Sequence, residues 1–440
     1  MNLLLRAVGW SGLYVFLVLL PLLAALWSAP PGGRGFVHEL GVAAGFVALA
    51  MLALEFALIA RLRAVAQPFG IDALQGFHRG LGFAALGFAL AHPLLLLADG
   101  MAARGFDPFA GPVALRPGAA AFWLLLALVA TTLWRRRLRL SYEAWLALHR
   151  WAALLLLAGA LWHVFLVEGR SGAPLMRALW SVYALLVVAL VLQHRLGAML
   201  RAWRRPWQVV ENRPERGDAR TLVVEPVGHR GFDFEPGQFA WLLTGRTPFS
   251  AQQHPITFAG SAEQGASRRL AFTIKALGDW SREVVPRLAP GARLWLDGPH
   301  GVFTPEREPA IGLLLIGGGV GITPMRAILL TMRDRGDRRP VLLLHAASSP
   351  ERMTFREEFE ALAREIALTY VPVAEDAPAG WTGERGRIDH ALLARHLPPQ
   401  RAHWQCFVCG PPPMLDAMER LLPACGFPAA RVHTERFATV

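Results

Sequence analysis

The chain has 440 residues, 54% of them hydrophobic and 18% charged, with a formal net charge of +12. That hydrophobic share excludes an ordinary soluble protein, and the length allows two or three domains. Nucleic acid is not an expected partner: Lys275 is the only lysine, and the arginine clusters RRRLR (135–139) and RAWRRPW (201–207) flank apolar runs, as anionic lipid and the positive-inside rule favour.

Six apolar segments, at about 3–27, 36–60, 73–98, 117–134, 142–167 and 177–197, each approach the ~20 residues that cross a bilayer. The first also has the look of a signal peptide, with Arg6 ahead of an apolar run and small residues near Ser28 and Ala29; its length favours a retained helix. Arg61, Arg63, Arg135, Arg136, Arg137, Arg139, Arg201, Arg204 and Arg205 follow segments two, four and six, while the opposite connections carry fewer arginines. Both termini are therefore expected in the cytoplasm, in a multi-pass protein of the inner membrane.

His78 and His92 stand fourteen residues apart in the third segment, and His149 and His163 repeat that spacing in the fifth. Fourteen helical residues turn about 1400° and rise roughly 21 Å, so each pair faces one direction at two depths. The third and fifth segments run parallel, which places His78 level with His149 near the cytoplasmic side and His92 level with His163 near the outer side. Two facing imidazoles suit the axial positions of a haem iron, and the quartet makes two stacked haem sites. The plainer alternative for each ring is a polar group satisfied inside the bundle. Arg79 and Arg150 follow the inner histidines and are candidates for haem propionates or for ordinary snorkelling. His38 and His194 lack a partner at that spacing and are read as non-ligands.

From about Trp207 short β-like runs separated by Gly/Pro turns predict an antiparallel barrel up to about residue 304. Beyond it IGLLLIGG, VLLLHAA and CFVCG alternate with helical stretches, the pattern of a doubly wound α/β domain. The glycine string at 317–321 lies at a strand-to-helix junction suited to a pyrophosphate, although position 322 is Ile where the Rossmann pattern has a third glycine; alone, it is equally a tight turn. Cys406, Cys409 and Cys425 make no disulfide framework, and the C-x-x-C pair has no zinc-site partners nearby.

His254-Pro255-Ile256-Thr257, IKALGDWS around Lys275, GPHGVF (298–303), GGGVGITPM (317–325), CGPPPM (409–414) and ERF (435–437) occur in the order of ferredoxin–NADP reductase-like flavoproteins. With the paired histidines, nearly the whole chain resembles the NADPH oxidase and ferric reductase transmembrane superfamily. The resemblance implies a six-helix transmembrane haem-binding bundle (1–200), an antiparallel β-barrel FAD domain (205–305) and an α/β doubly wound NADPH-binding domain (308–440). It implies that His254, Pro255, Ile256, Thr257, Lys275, Gly278, Asp279, Trp280 and Ser281 contact FAD, with Ile256 replacing the usual aromatic. Gly317, Gly319, Gly321, Thr323 and Pro324 would hold the nicotinamide dinucleotide's pyrophosphate. Thr257, Cys409 and Phe437 would stand at the reacting rings, with Gly410 and Pro411 beside Cys409.

Ser348, Ser349 and Arg352 suit an adenosine 2′-phosphate, which favours NADPH over NADH. The expected activity is electron transfer from cytosolic NADPH through FAD and two b-type haems to an extracytoplasmic acceptor, oxygen or ferric iron. The sequence assigns no protein partner. The rival reading is a transporter whose histidines relay protons under a regulatory nucleotide-binding domain.

Overall fold

The computed structural model describes residues 3–28, 34–249, 253–265 and 268–436. The chain divides between Gly197 and Ala198 into two compact units.

The first unit is helical: α1 (Leu3–Trp27), α2 (Phe36–Ile59), α3 (Arg63–Phe69), α4 (Ile71–Ala98), α5 (Arg116–Leu133), α6 (Tyr142–Leu166) and α7 (Pro174–Leu192). Among the described residues six helices are long and apolar enough to cross a membrane, and they coincide with the six expected segments. The short α3 was not expected, because its seven residues carry no apolar run of spanning length. Helix α2 packs chiefly against α4, and α5 against α6. Small residues permit this close approach: a methyl group on Gly159 of α6 would stand 3.1 Å from the Pro117 carbonyl oxygen.

Phe46, Ala50 and Leu54 of α2 share a core with Leu157, Trp180 and Tyr183. Leu5, Val8, Trp27, Leu94, Trp151 and Leu185 are instead exposed on the helices' outer faces. An apolar exterior around a packed interior is the surface that hydrocarbon solvates.

The second unit begins with α8 (Ala198–Trp203) and contains two sheets. Strands β1 (Pro206–Glu215), β2 (Ala219–Pro226), β3 (Phe239–Leu243), β4 (Gln253–Thr257), β5 (Leu270–Lys275) and β6 (Arg293–His300) form an antiparallel sheet of order β4-β3-β6-β1-β2-β5. Its two edges meet just past β4, where Phe258 bridges Phe272 and Ala259 N–H donates to the Ala271 carbonyl at 2.7 Å. Trp207, Leu222, Leu242, Phe258 and Phe272 fill the space enclosed.

The second sheet is parallel: β7 (Leu313–Gly318), β8 (Val341–Ala347), β9 (Leu368–Ala374), β10 (Glu384–Arg385), β11 (Gln405–Cys409) and β12 (Val432–Glu435), in the order β10-β9-β8-β7-β11-β12. Helices α9 (Thr323–Arg335) and α10 (Arg356–Leu362) cover one face, and α11 (His390–His396) and α12 (Pro412–Ala424) the other. With helices on both faces, β7 is buried along its whole length, which explains its continuous apolar run. The order reverses between β7 and β11, and in open α/β sheets such a switch point leaves a crevice beyond the carboxyl ends of the strands.

Candidate functional site

Helices α4 and α6 bring the four histidines together in the expected pairs. The His78 and His149 ring centroids are 6.2 Å apart, and those of His92 and His163 are 6.5 Å apart. Both pairs join residues offset by the same 71 positions, so the two helices run in one direction, in register. Two metal–imidazole bonds of about 2 Å each, plus the reach from nitrogen to ring centre, give a centroid separation of about 6 Å. The separations therefore fit one metal between each pair. Among the described residues no group of three or more His, Cys, Asp or Glu gathers as a metal site, so these histidines stand in twos.

The outer rings are fixed by backbone. His92 Nδ1 lies 2.8 Å from the Gly41 carbonyl oxygen, and His163 Nδ1 lies 2.9 Å from that of Ala114. A carbonyl only accepts, so in both rings Nδ1 carries the hydrogen and Nε2 keeps its lone pair, the tautomer a metal ligand needs. In each case a glycine four residues further on makes room: a methyl group at Gly45 would stand 2.7 Å from His92 Nδ1, and one at Gly118 would stand 2.7 Å from His163 Cγ. The inner pair differs. His78 Nδ1 bonds the Glu55 carboxylate, whereas His149 Nδ1 is buried without a hydrogen-bond partner among the described residues, its ring 5.3 Å from Trp145. Arg79 is exposed and Arg150 half-buried. His38, read as a non-ligand, lies 3.0 Å from Asp99 through its Nδ1.

Sequence reasoning passed over Glu55, Gly45 and Gly118. Glu55 had a usable signal, being the only charged residue between Leu40 and Ile59, and intramembrane charge is costly unless it serves a function. The glycines had none, because their role is a contact between helices.

In the second unit the motifs assemble at the switch point. Gly317 and Gly318 end β7, and Gly319 adopts φ +57°, where a side chain would be strained. A methyl group at Gly321 would stand 2.3 Å from the Cys409 carbonyl oxygen, and one at Gly318 would stand 2.6 Å from Met414 Sδ. The glycine turn thus lies against Cys409, Gly410 and the start of α12. Buried Thr323 and Pro324 open α9, with Thr323 Oγ1 donating to the Val320 carbonyl at 2.7 Å. Lys275, at the end of β5, brings its Nζ to within 3.8 Å of where a Gly319 side chain would start.

On the antiparallel sheet, His254 of β4 stacks on Trp280 at 3.9 Å and 18°, and Trp280 Nε1–H donates to Thr244 at 2.8 Å. Pro255 and Ile256 are half-buried and Thr257 is buried. Ser281 Oγ accepts the Leu277 and Gly278 N–H groups, both at 2.9 Å, so it shapes the loop that carries exposed Gly278 and Asp279. Phe437 lies outside the described residues; β12, which precedes it, pairs Glu435 with Cys409.

Past β8, Ser348 and Arg352 are exposed. Acids already attend this group. The Ser349 hydroxyl holds the Glu351 carboxyl below its usual range, and Arg352 Nη2 is 3.7 Å from Asp218. Cys406 and Cys409 enter different cores on opposite faces of the sheet, and burial pushes the Cys406 thiol well up, which rules the C-x-x-C pair out as a chelate.

Residues 44–160 match the family described as ferric reductase like transmembrane component, and residues 315–420 match the oxidoreductase NAD-binding domain. The chain thus carries, in that order, one stretch that matches a ferric reductase-like transmembrane component and one that matches an oxidoreductase NAD-binding domain, in keeping with the resemblance to the NADPH oxidase and ferric reductase superfamily. These matches give it an NAD(P)H-dependent oxidoreductase domain.

The chain is 28% identical over 239 residues to the reductase subunit of stachydrine N-demethylase from Rhizobium meliloti, covering 53% of this chain and 66% of that one. It is 30% identical over 232 residues to an NADPH oxidoreductase of Mycobacterium tuberculosis, covering 51% and 58% respectively. It therefore spans somewhat under two thirds of each of these relatives' length. The flavohemoglobin of Malassezia yamatoensis is similar at a TM-score of 0.51 and 18% identity, over 92% of this chain and all of that one, a likeness of fold alone.

Proposed function

We propose that this protein carries electrons across the inner membrane, from cytosolic NADPH to a small acceptor outside. In this reading residues 1–200 bind two b-type haems, 205–305 form an FAD-binding barrel, and 308–440 bind NADPH. The observation that carries it is the pairing of four histidines in register, at ring separations of 6.2 and 6.5 Å, in a chain that also has an NAD-binding switch point. FAD supplies the division of a two-electron donor into single electrons, and haem iron accepts electrons one at a time within an apolar slab.

The chain's own residues do the rest. His78 and His149 present one pair of imidazoles and His92 and His163 the other, while Arg79 and Arg150 offer guanidinium groups to propionates. His254, Pro255, Ile256 and Thr257, with Lys275, Gly278, Asp279, Trp280 and Ser281, form the flavin cradle. Its rigidity comes from the His254–Trp280 stack and the Ser281-centred loop. Gly317, Gly319, Gly321, Thr323 and Pro324 admit a pyrophosphate at the switch point. Cys409, Gly410 and Pro411 line its far side, and Phe437 covers the flavin.

Ser348, Ser349 and Arg352 bind the 2′-phosphate, with NADH as the weaker donor. The NADPH named for the mycobacterial relative agrees with that choice. Oxygen and ferric chelates are the two acceptors that this reading admits.

Membrane vesicles of known sidedness test the reading. NADPH added to inside-out vesicles should be oxidised while ferric chelate or oxygen is reduced in the lumen; oxidation and reduction confined to the same side would contradict it.

A further inference from the structure

The four imidazoles differ in what holds Nδ1. Neutral backbone carbonyls hold His92 and His163, at 2.8 and 2.9 Å. A carboxylate, that of Glu55, holds His78, and His149 Nδ1 has no hydrogen-bond partner among the described residues. The difference is written in the helices. Ten residues beyond Gly45 on α2 stands Glu55, while ten beyond Gly118 on α5 stands Leu128. The two helices thus repeat one device, a carbonyl and a glycine at one end, and only α2 adds an acid at the other.

Resting on the haem reading above, we propose that Glu55 is a positioning residue that lowers the reduction potential of the haem held by His78 and His149 below that of the haem held by His92 and His163. Glu55 is 6% exposed and is the only charged residue between Leu40 and Ile59, so little solvent competes for its oxygen. A ring that donates Nδ1–H to a carboxylate becomes a stronger electron donor through Nε2 than one bonded to a neutral carbonyl. Stronger donation, and the adjacent negative charge, both favour the more positive, oxidised iron, and hydrogen bonding around an axial ligand is one of the levers that set haem potentials. Because spans alternate in direction, His78 lies at the end of the bundle from which the chain leaves after α7. The difference favours passage of an electron from the His78–His149 pair to the His92–His163 pair.

The test is an anaerobic potentiometric titration of the full-length, haem-loaded protein followed by the haem absorption band. The wild type should give two separate waves, and Glu55→Gln, which removes the charge and keeps an acceptor oxygen, should move the lower wave to more positive potential and leave the upper one in place. His163→Ala, which dismantles the other pair, should leave the lower wave alone. Coincident waves in the wild type, a His163→Ala protein that keeps the upper wave, or a Glu55→Gln protein with both waves unmoved would each overturn the inference. Loss of haem from Glu55→Gln with no change of potential in what remains would also overturn it, as a merely structural role. If Glu55→Gln does not fold, coincident waves in the wild type or an upper wave kept by His163→Ala would still overturn it. A wild type that binds no haem under adequate supply is the separate failure of the haem reading itself.

Discussion

Gly45 lies against the imidazole of His92, so close that a methyl group in place of its hydrogen would stand 2.7 Å from Nδ1. Gly118 holds the same relation to His163. Each glycine follows by four residues the carbonyl that orients its ring: Gly41 and Gly45 both lie in α2, whereas Ala114 lies in the turn just before α5 and Gly118 in its first turn.

Gly45→Ala and Gly118→Ala should each push one outer ring off its carbonyl. We expect haem content to fall from two towards one per chain, with overpacking that costs about 1–3 kcal/mol. Because both act on the same pair, the double variant should lose little more haem than either single one. Haem-to-protein ratios measured by pyridine haemochrome check this, and equal losses of both haems would contradict it.

Gly321→Ala sets a methyl group against the Cys409 carbonyl oxygen, 2.3 Å away, and neither partner is a flexible side chain. The turn must shift, at about 1–3 kcal/mol. The expected outcome is a KM for NADPH raised ~10-fold or more, since about 1.4 kcal/mol is tenfold in binding, with haem content unchanged. Steady-state kinetics with an artificial acceptor reads it.

Arg352→Ala should raise the KM for NADPH roughly tenfold, as loss of a charge-assisted hydrogen bond predicts, and leave NADH unaffected. Asp218 lies 3.7 Å from Arg352 and competes for it, so Asp218→Ala should lower the KM for NADPH. An equal effect of Arg352→Ala on both nucleotides would remove the 2′-phosphate assignment.

His345, buried in β8 with Nδ1 3.0 Å from the Tyr370 hydroxyl, has its pKa pushed down to about 3 by burial, from an ordinary value of 6.5. Between those values the unfolded chain binds a proton that the folded chain refuses. Stability therefore falls as pH drops from about 6.5 towards 3, by up to about 1.4 kcal/mol per pH unit for one such group. Thermal unfolding of the protein across that range should show the loss, and His345→Phe should flatten it.

Much of this arrangement is legible in the residues. The fourteen-residue spacing needs only helix geometry to place four histidines in two pairs, and the glycine string needs only a strand before it and a helix after it. What escapes the sequence is tertiary. Gly45 and Gly118 read as ordinary small residues until a neighbouring ring is seen against them, and α3 is too short for hydropathy to mark. The C-x-x-C spacing lacks zinc-site partners in the sequence, and the structure adds that an odd separation on a strand sends Cys406 and Cys409 to opposite faces. Arg352 reads as a free cation in the sequence, whereas the β1–β2 hairpin carries Asp218 towards it.

The central claim is that the histidine quartet holds haem and receives electrons from NADPH. The most direct measurement is the optical spectrum of the detergent-purified protein, supplied with FAD and kept anaerobic, before and after NADPH. The account predicts a b-type haem spectrum at two haems per chain that becomes reduced on adding NADPH. A protein that binds no haem despite adequate supply would contradict it and favour histidines that relay protons.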